Sequence, residues 1–346
     1  FTTIKMIPEV NSLILQLLGK NLINKNEYHK TTEIHEKLVK VIGNLLHAPN
    51  QDKICGTSTV GSSEAVFLAI LMAKWYWKNQ QSSEKPNIVL SSSAHLCWYR
   101  FSNYLDVEIR EVEVNEVNVF PQQEMLKNVD ENTICVVTIL GCTYLGSCDP
   151  IHELNDALEK LNKENEWNVG IHVDAAIGGF VIPFLKEKYE YNWDFKLPLV
   201  RSINVSSHKY GLVYPGLGWI LFRDEKYFQS ELNLSSDYLT GSSQSYTVNF
   251  SRSSSLVIAQ YFNFLHYGFE GYQTVIEKCR YNARFLSELL EKVEFFEVIS
   301  TLKIPVVTFK FKDKPLFSEK EYTQFLRDKK LMFAFNVLPK KLNITV

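Results

Sequence analysis

The sequence predicts an α/β protein built on a mainly parallel sheet with helices on both faces. The main observation is that short apolar runs of strand length alternate with amphipathic stretches of helix length along most of the chain. Composition agrees, because 45% of the 346 residues are hydrophobic and 22% are charged, which is usual for a globular protein. A chain of this length predicts about two domains.

The first helices are predicted from the spacing of apolar residues. Over 34–46 apolar side chains recur three or four positions apart, which indicates an amphipathic helix. The segment 48–52 contains proline and polar residues and ends this helix. Over 61–79 apolar residues occupy almost every side, so this helix is predicted to be buried.

Strands and helices then alternate. Each short apolar run is a predicted strand, and each longer amphipathic stretch is a predicted helix. In chain order these elements are a strand at 88–90, a helix at 94–105, a strand at 133–140, a helix at 150–166 and strands at 169–174 and 203–206.

The pattern changes beyond residue 271, and this change predicts a second, smaller α+β domain. A long helix runs to about 292, and strands are predicted at 295–299, 306–311 and 332–337 with a helix between them. The predicted organisation is therefore an N-terminal helical segment over 1–50, a large ligand-binding domain over 51–271 and a small domain over 272–346. Because the chain begins at Phe1 and ends at Val346 within an apolar pattern, we expect a fragment whose small domain is truncated.

Charge and cysteine usage exclude several classes of protein. The 37 Lys and Arg residues nearly balance 39 Asp and Glu residues and form no basic stripe, so no nucleic-acid partner is expected. The longest apolar run, 65–73, is far shorter than the about 20 residues that span a membrane, so no membrane association is expected. The six cysteines form no CxxC pair, which predicts neither a disulfide framework nor a metal site and favours a cytoplasmic protein.

The first motif is the glycine- and serine-rich segment 56–64, directly before the buried helix. Glycine lets a backbone approach a ligand closely, and the free N–H groups of a helix N-terminus attract an anion near Ser62 and Ser63. A nucleotide-binding P-loop is excluded because Ser62 stands where that motif needs lysine. A plain helix cap remains the alternative.

The other two motifs follow predicted strands, at the sheet edge where ligands bind in parallel sheets. Asp174 ends the strand at 169–174 and precedes two glycines. A buried carboxylate needs a cationic or N–H partner, although an Asp that caps a turn is the alternative. Lys209, within Ser206-Ser207-His208-Lys209, lies among apolar residues that lower the pKa of an amine, as a Schiff-base lysine requires. A surface lysine is the alternative.

Taken together, the three motifs predict a site for pyridoxal 5′-phosphate. The helix N-terminus would bind the phosphate, Asp174 the pyridinium nitrogen and Lys209 the aldehyde carbon. Two further residues fit the same site, since His95 is placed to stack on the ring and Thr143 to hydrogen-bond its edge.

At this point the sequence resembles the glutamate decarboxylase family of bacteria, plants and fungi, within the group II pyridoxal-phosphate-dependent decarboxylases. The most specific stretches are Gly-Thr-x-Thr-x-Gly-Ser-Ser-Glu-Ala and Ser-x-His-Lys. The resemblance covers nearly the whole chain and is carried by 24–28, 56–65, 130–133, 172–180, 206–211, 215–219 and 249–252.

The resemblance implies the aspartate-aminotransferase-like fold, known as pyridoxal-phosphate fold type I, and self-association as dimers or larger homo-oligomers. It implies that Lys209 carries the cofactor, with catalytic contributions from Asp174 and His208. The implied cofactor-binding residues are Ser62, Ser63, His95, Thr143, Asp174, Ala176, Ser206, His208, Lys209 and, toward a neighbouring subunit, Ser251.

The implied reaction is decarboxylation of L-glutamate to 4-aminobutanoate and carbon dioxide. Asn21 and Asn24 match substrate-binding positions of the family, although the family commonly has Asp at the position of Asn24. Two alternatives stay open. One is another group II decarboxylase that acts on aspartate or an aromatic amino acid, and the other is a non-catalytic cofactor-binding subunit, because both chain ends are expected to be missing.

Overall fold

A central seven-stranded sheet organises the chain. The computed structural model describes residues 5–80, 85–114, 120–187, 190–227, 234–236, 243–313, 321, 324–325 and 328–329. The strands of the sheet are β1 (Cys55–Thr59), β2 (Asn87–Ser91), β3 (Glu108–Val112), β4 (Thr133–Ile139), β5 (Ile171–Asp174), β6 (Val200–Ser206) and β7 (Gly218–Phe222).

The strand order is β1-β7-β6-β5-β4-β2-β3. Pairs from β6 to β3 are parallel, whereas β7 runs antiparallel to both of its neighbours, β6 and β1. Parallel neighbours bring the carboxyl ends of β2, β4, β5 and β6 to one edge. The predicted mainly parallel sheet is therefore confirmed.

Helices cover both faces of the sheet. Their bounds are α1 (Pro8–Leu17), α2 (His29–Leu45), α3 (Gly61–Lys78), α4 (Leu96–Tyr104), α5 (Gln122–Lys127), α6 (Ile151–Asn165) and α7 (Ser255–Glu291). Along β2, Ile88 and Leu90 belong to the core shared with α3 and α4, whereas Val89 belongs to the core shared with α2 and α6. Alternation of side chains across a strand thus divides the apolar residues between two layers.

The sequence analysis missed β1, β3 and β7, and each has a physical reason. β1 and β3 lie at the two edges of the sheet and are only partly buried, so their sequences are not strongly apolar. β7 is fully buried, but it pairs antiparallel with β6 and follows it without an intervening helix. The strand–helix alternation therefore gives no sign of β7.

The long helix α7 begins earlier than predicted. It starts at Ser255 rather than after residue 271, and the non-helical backbone of Gly268 (φ 59°, ψ −171°) divides it. Its end at Glu291 matches the prediction. The proposed domain boundary therefore falls just after the break at Gly268, and the division into domains stays a prediction.

Two short antiparallel pairs complete the described elements. β8 (Leu234–Ser236) pairs with β9 (Ser243–Ser245), and β10 (Phe296–Val298) pairs with β11 (Phe309–Phe311). β10 and β11 match the strands predicted at 295–299 and 306–311, whereas the strand predicted at 332–337 lies outside the described residues. Within the described ranges, no helix is long and apolar enough to span a membrane.

Candidate cofactor site

A cavity of about 250 Å³ lies at the carboxyl ends of the parallel strands, where the sequence placed the ligand. Pro215 and Gly216, just before β7, also lie on its wall. The structure brings these predicted residues to its wall: Ser62, Ser63, His95, Thr143, Asp174, Ala176, Ser206, His208 and Lys209.

The N-terminus of α3 forms one end of the cavity. Gly61 begins the helix with a left-handed backbone (φ 75°), and Ser62 and Ser63 follow in its first turn. The close approach of β7 requires glycine at Gly218, because a Cβ there would lie 2.5 Å from the carbonyl carbon of Gly61. The helix terminus therefore presents free N–H groups to the cavity, which favours an anion.

Glu64 fixes this terminus to a second segment. Its carboxylate is buried and accepts hydrogen bonds from the backbone N–H groups of Val60 and Val248, the second at 2.7 Å. The segment that contains Val248 leads directly to Ser251. The first turn of α3 and the segment before Ser251 are thus held together by one side chain.

Asp174, at the end of β5, lies at the other end of the cavity. Its Oδ2 accepts from the Trp98 indole at 2.9 Å, and its Oδ1 accepts from the Asn204 amide at 3.0 Å and the Ala176 backbone N–H at 3.2 Å. Burial acts to raise the pKa of Asp174, but these donors and the nearby Lys209 charge outweigh it and lower that pKa. The carboxylate is therefore held ionised.

Lys209 lies in the turn after β6, with its side chain in the same cavity. Burial lowers the pKa of Lys209 below its ordinary value, although the Asp174 charge opposes this shift. Burial and the Lys209 charge also lower the pKa of His208, which keeps its imidazole neutral. The cavity thus combines a buried amine of increased nucleophilicity with a buried carboxylate.

Sequence reasoning missed three buried residues that support Asp174. They are Trp98 on α4, His172 on β5 and Asn204 on β6. Asn204 and His172 form a hydrogen bond of 2.7 Å between Oδ1 and Nε2. The available signal was a polar residue at every second position near the ends of two buried strands, with His172 and Asp174 on one strand and Ser202, Asn204 and Ser206 on the next.

Asn21, Asn24 and Ser251 do not line this cavity. The Asn21 amide donates to the Ser251 hydroxyl at 3.1 Å, so these two predicted residues lie together, away from Lys209 within one chain. Asn24 donates to the Glu27 carboxylate at 2.5 Å. Their roles stay predictions that a single chain does not test.

A larger cavity of about 650 Å³ lies elsewhere, between α2, β1 and residues near Arg252. Its wall includes His35, whose Nε2 accepts the Ser58 backbone N–H at 3.1 Å, but neither Asp174 nor Lys209. No grouping of three or more His, Cys, Asp or Glu residues suited to a metal occurs in the described part of the chain. Of these two cavities in the described part of the chain, the smaller one therefore has the carboxylate and the amine that a pyridoxal cofactor needs.

Comparison with known proteins identifies the family. The model of the pyridoxal-dependent decarboxylase conserved domain matches residues 2–312. The chain belongs to the pyridoxal-dependent decarboxylase family. Membership confirms the predicted enzyme class and the predicted pyridoxal phosphate cofactor of this decarboxylase.

Curated relatives resemble the decarboxylase over most of its length. Glutamate decarboxylase 1 of Arabidopsis thaliana is 43% identical, and the match covers 100% of this chain and 70% of that protein. Glutamate decarboxylase beta of Listeria monocytogenes is also 43% identical, over 89% of this chain and 68% of that protein. The predicted resemblance to glutamate decarboxylases is therefore confirmed.

Solved structures confirm the predicted fold of the decarboxylase. Lactobacillus brevis glutamate decarboxylase matches with a TM-score of 0.89 and 38% identity, over 94% of this chain and 76% of that one. Burkholderia pseudomallei sphingosine-1-phosphate lyase matches with a TM-score of 0.82 over 96% of this chain and 75% of that one, but at 21% identity the likeness shows the fold alone. The predicted pyridoxal-phosphate fold type I is the fold of this chain.

The cavity fits pyridoxal phosphate on an observation independent of the family. The buried Ser206 hydroxyl has no hydrogen-bond partner among the described residues, and it lies on the cavity wall. A buried hydroxyl without a partner is costly, and a phosphate oxygen would satisfy it. An anion site, a carboxylate and an amine thus occur together in one cavity, as this cofactor requires.

Proposed function

We propose that this decarboxylase converts L-glutamate to 4-aminobutanoate and carbon dioxide with pyridoxal 5′-phosphate. The observation that carries the proposal is that one cavity contains both Asp174 and Lys209. The substrate is chosen because the curated relatives named above, which are glutamate decarboxylases, are 43% identical to this chain. The alternatives are decarboxylation of aspartate or an aromatic amino acid, and cofactor binding without catalysis.

The phosphate group would lie at the N-terminus of α3. Ser62 and Ser63 would donate hydrogen bonds to it from the first turn, where the helix dipole also favours negative charge. Ser206 and His208 would hold it from the strand end and the turn after β6. These contacts fix the position of the cofactor before any substrate binds.

Asp174 would hold the ring nitrogen protonated. Since its donors keep this carboxylate ionised, it pairs with a cationic nitrogen more strongly than with a neutral one. When bound, pyridoxal phosphate supplies an electron sink for the electron pair that stays on the substrate carbon as carbon dioxide leaves. His95 would pack on the face of the ring, and Thr143 and Ala176 would line its edge.

Lys209 would hold the cofactor through its amine between turnovers. Burial favours the neutral, nucleophilic form of this amine, and an amine released upon substrate binding would remain in the same cavity. Lys209 or His208, both on the cavity wall, would return a proton to the reacting carbon once it has taken a proton from the ammonium group of the incoming substrate.

We also propose a homo-oligomer, a dimer or larger, in which the Asn21–Ser251 pair serves the cavity of a neighbouring subunit. Support comes from the hydrogen bond between these two residues and from their position outside the cavity of their own chain. Asn21 and Asn24 would then contact the substrate, and Ser251 the phosphate. The six cysteines all lie in the described residues and form no disulfide, which favours a reducing compartment, the cytoplasm.

The test is product formation by the purified protein loaded with pyridoxal phosphate. L-glutamate, L-aspartate and aromatic amino acids are supplied separately, and carbon dioxide and the amine product are measured. We expect 4-aminobutanoate from glutamate and much slower release from the others. Preference for another amino acid, or bound cofactor without carbon dioxide release from any of them, would contradict the proposal.

A further inference from the structure

We propose that Asn204 is a positioning residue that couples the two ends of the cofactor site, because its single amide holds both the Asp174 carboxylate and the Ser62 hydroxyl. This inference rests on the proposed function, since it assigns Ser62 to the phosphate and Asp174 to the ring nitrogen. It concerns a residue of β6 that lines no part of the cavity wall.

The geometry of Asn204 is that of a bridge. Its Nδ2 lies 2.6 Å from the Ser62 Oγ and 3.0 Å from the Asp174 Oδ1. The side chain is fully buried, and its backbone is in register with Asp174 across the parallel pair of β5 and β6. Both amide hydrogens are therefore used on residues of the site.

The orientation of the amide follows from charge. The opposite orientation would turn the carbonyl oxygen of Asn204 toward the Asp174 carboxylate, and two acceptors there would repel each other. With the amide nitrogen on Asp174, the Asn204 Oδ1 is left to accept from the His172 Nε2 at 2.7 Å. The carboxylate thus fixes which end of the amide faces the site.

The orientation of the Asn204 amide also fixes which ring nitrogen of His172 carries the proton. Since the Nε2 donates to Asn204, the Nδ1 accepts, and the Ser202 hydroxyl lies 2.7 Å from it. Burial lowers the pKa of His172 to about 4, so the imidazole is neutral and can play both parts. Hydrogen bonds therefore run in one direction, from Ser202 through His172 and Asn204 to the site.

This series of hydrogen bonds affects both Ser62 and Asp174. The Ser62 Oγ accepts from Asn204, so its own hydrogen remains to be donated to an anion at the N-terminus of α3. The Asp174 Oδ1 gains an N–H donor, which favours the ionised form. Movement of the amide would disturb the phosphate contact and the ring-nitrogen contact together.

A purely structural role would make different use of this position. Such a role would need only the Asn204 Oδ1, because an apolar residue at 204 would leave the buried His172 Nε2–H without an acceptor. The partners of Asn204 are instead side chains, two of them on the cavity wall. The bridge is therefore assigned to the site.

The test uses Asn204→Leu, which keeps the volume, and Asn204→Ala, which avoids overpacking if leucine prevents folding. The matched control is Asn155→Leu, which removes another fully buried amide, on α6. The Asn155 Oδ1 accepts the Leu199 N–H at 3.0 Å, and Asn155 does not line the cavity. Each apoprotein is titrated with pyridoxal phosphate and with pyridoxal by visible absorption, and separately with inorganic phosphate by calorimetry. We expect the Asn204 variants to bind all three at least about tenfold more weakly, while the control is unchanged.

Double variants separate positioning from general loss of structure. When Asn204→Leu is combined with Ser62→Ala or with Asp174→Asn, the loss of pyridoxal phosphate affinity should be smaller than the product of the single losses. Unchanged affinity in both Asn204 variants would overturn the inference. So would losses of affinity in both double variants that equal the product of the single losses. If the unchanged protein itself binds no pyridoxal phosphate, the proposed function fails instead, so the two failures are distinguishable.

Discussion

At Asp174, burial and hydrogen bonding act on the same charge in opposite directions. Burial raises the pKa of this carboxyl, and the Trp98 indole, the Lys209 charge and the Asn204 amide lower it by more. The carboxyl of Asp174 therefore stays ionised although it is buried, because these buried groups stabilise its charge. Its charge is the property that the proposed reaction uses.

Asp174→Asn tests this charge with almost no change of shape. The amide still accepts a hydrogen bond from the Trp98 indole, but it cannot stabilise a protonated ring nitrogen. We expect kcat to fall at least about 100-fold, which corresponds to about 2.7 kcal/mol of transition-state stabilisation. Steady-state rates at full cofactor occupancy, verified by absorption, measure this effect. A near-normal rate would show that Asp174 pairs with another group.

Lys209→Ala tests the proposed attachment of the cofactor. Borohydride reduction of the unchanged protein should fix the pyridoxyl group to the peptide that contains Lys209, and peptide mass spectrometry locates it. The variant should lose turnover altogether because the cavity wall contains no second amine in the described chain. Lys78→Ala, at the exposed C-terminal end of α3, is the control. Labelling of a different lysine would refute the assignment.

How far the sequence predicts the site depends on where each residue lies in its element. Asp174 and Lys209 end or follow a strand, and the carboxyl ends of parallel strands share one edge, so their meeting is predictable. Asn204 lies inside a strand, and its role depends on the neighbouring strand and on α3. Contacts of that kind follow from register and strand order, which no local pattern specifies.

At the scale of elements, the junction between α3 and β7 controls the anion end of the site. Gly218→Ala would place a Cβ 2.5 Å from the Gly61 carbonyl carbon and 2.7 Å from the Ser62 nitrogen, and backbone cannot move aside cheaply. We expect a loss of about 1–3 kcal/mol in the free energy of unfolding. Affinity for pyridoxal phosphate should fall in parallel, because the first turn of α3 is displaced.

Gly19→Ala is the matched control for this variant. No heavy atom of the described residues lies within 4 Å of a Cβ built at Gly19. Chemical denaturation and cofactor titration on both variants separate the effect of the junction from the effect of adding a methyl group. Equal behaviour of Gly218→Ala and Gly19→Ala would mean that the helix terminus is not held by β7.

Elements were predictable where a mainly apolar segment also fits the alternation of strands and helices along the sequence. The strands β4 and β5 and the helix α3 follow this pattern, and their predicted bounds agree with the structure within two residues. The edge strand β1 contains glycine, serine and threonine because it has one neighbour and partial exposure. Its strand conformation depends on pairing with β7, which is distant in sequence.

At the scale of the whole molecule, buried titratable groups set the response of stability to pH. Burial lowers the pKa of His35 to about 3 and of His172 to about 4, so the stability they contribute is present above their ordinary pKa of 6.5 and lost as pH falls toward 4. Burial raises the pKa of Asp149 to about 7, so its contribution is present below 3.8 and lost as pH rises through 7. These contributions oppose each other between about pH 4 and 6.5.

Asp149→Asn removes the opposing contribution. The asparagine oxygen can still accept the Ile139 N–H, which Asp149 Oδ2 accepts at 2.7 Å. We expect the variant to gain stability relative to the unchanged protein at pH 7 and to lose that advantage toward pH 4, with a slope of up to about 1.4 kcal/mol per pH unit. Urea unfolding across this range measures it, with the exposed Asp52→Asn as control. An advantage that does not vary with pH would refute the assignment.

The residues of the cavity wall come from Val60 to Gly216, and the strands that carry them become neighbours only when the sheet is complete. An unfolded chain therefore offers no such site, and pyridoxal phosphate binds the native state more tightly. Mass action then makes the vitamin-derived cofactor a stabiliser, worth about 2.7 kcal/mol at a concentration 100 times its Kd. A cell short of this vitamin would consequently hold less of the protein as well as less active protein, because chains without cofactor unfold more often and are degraded.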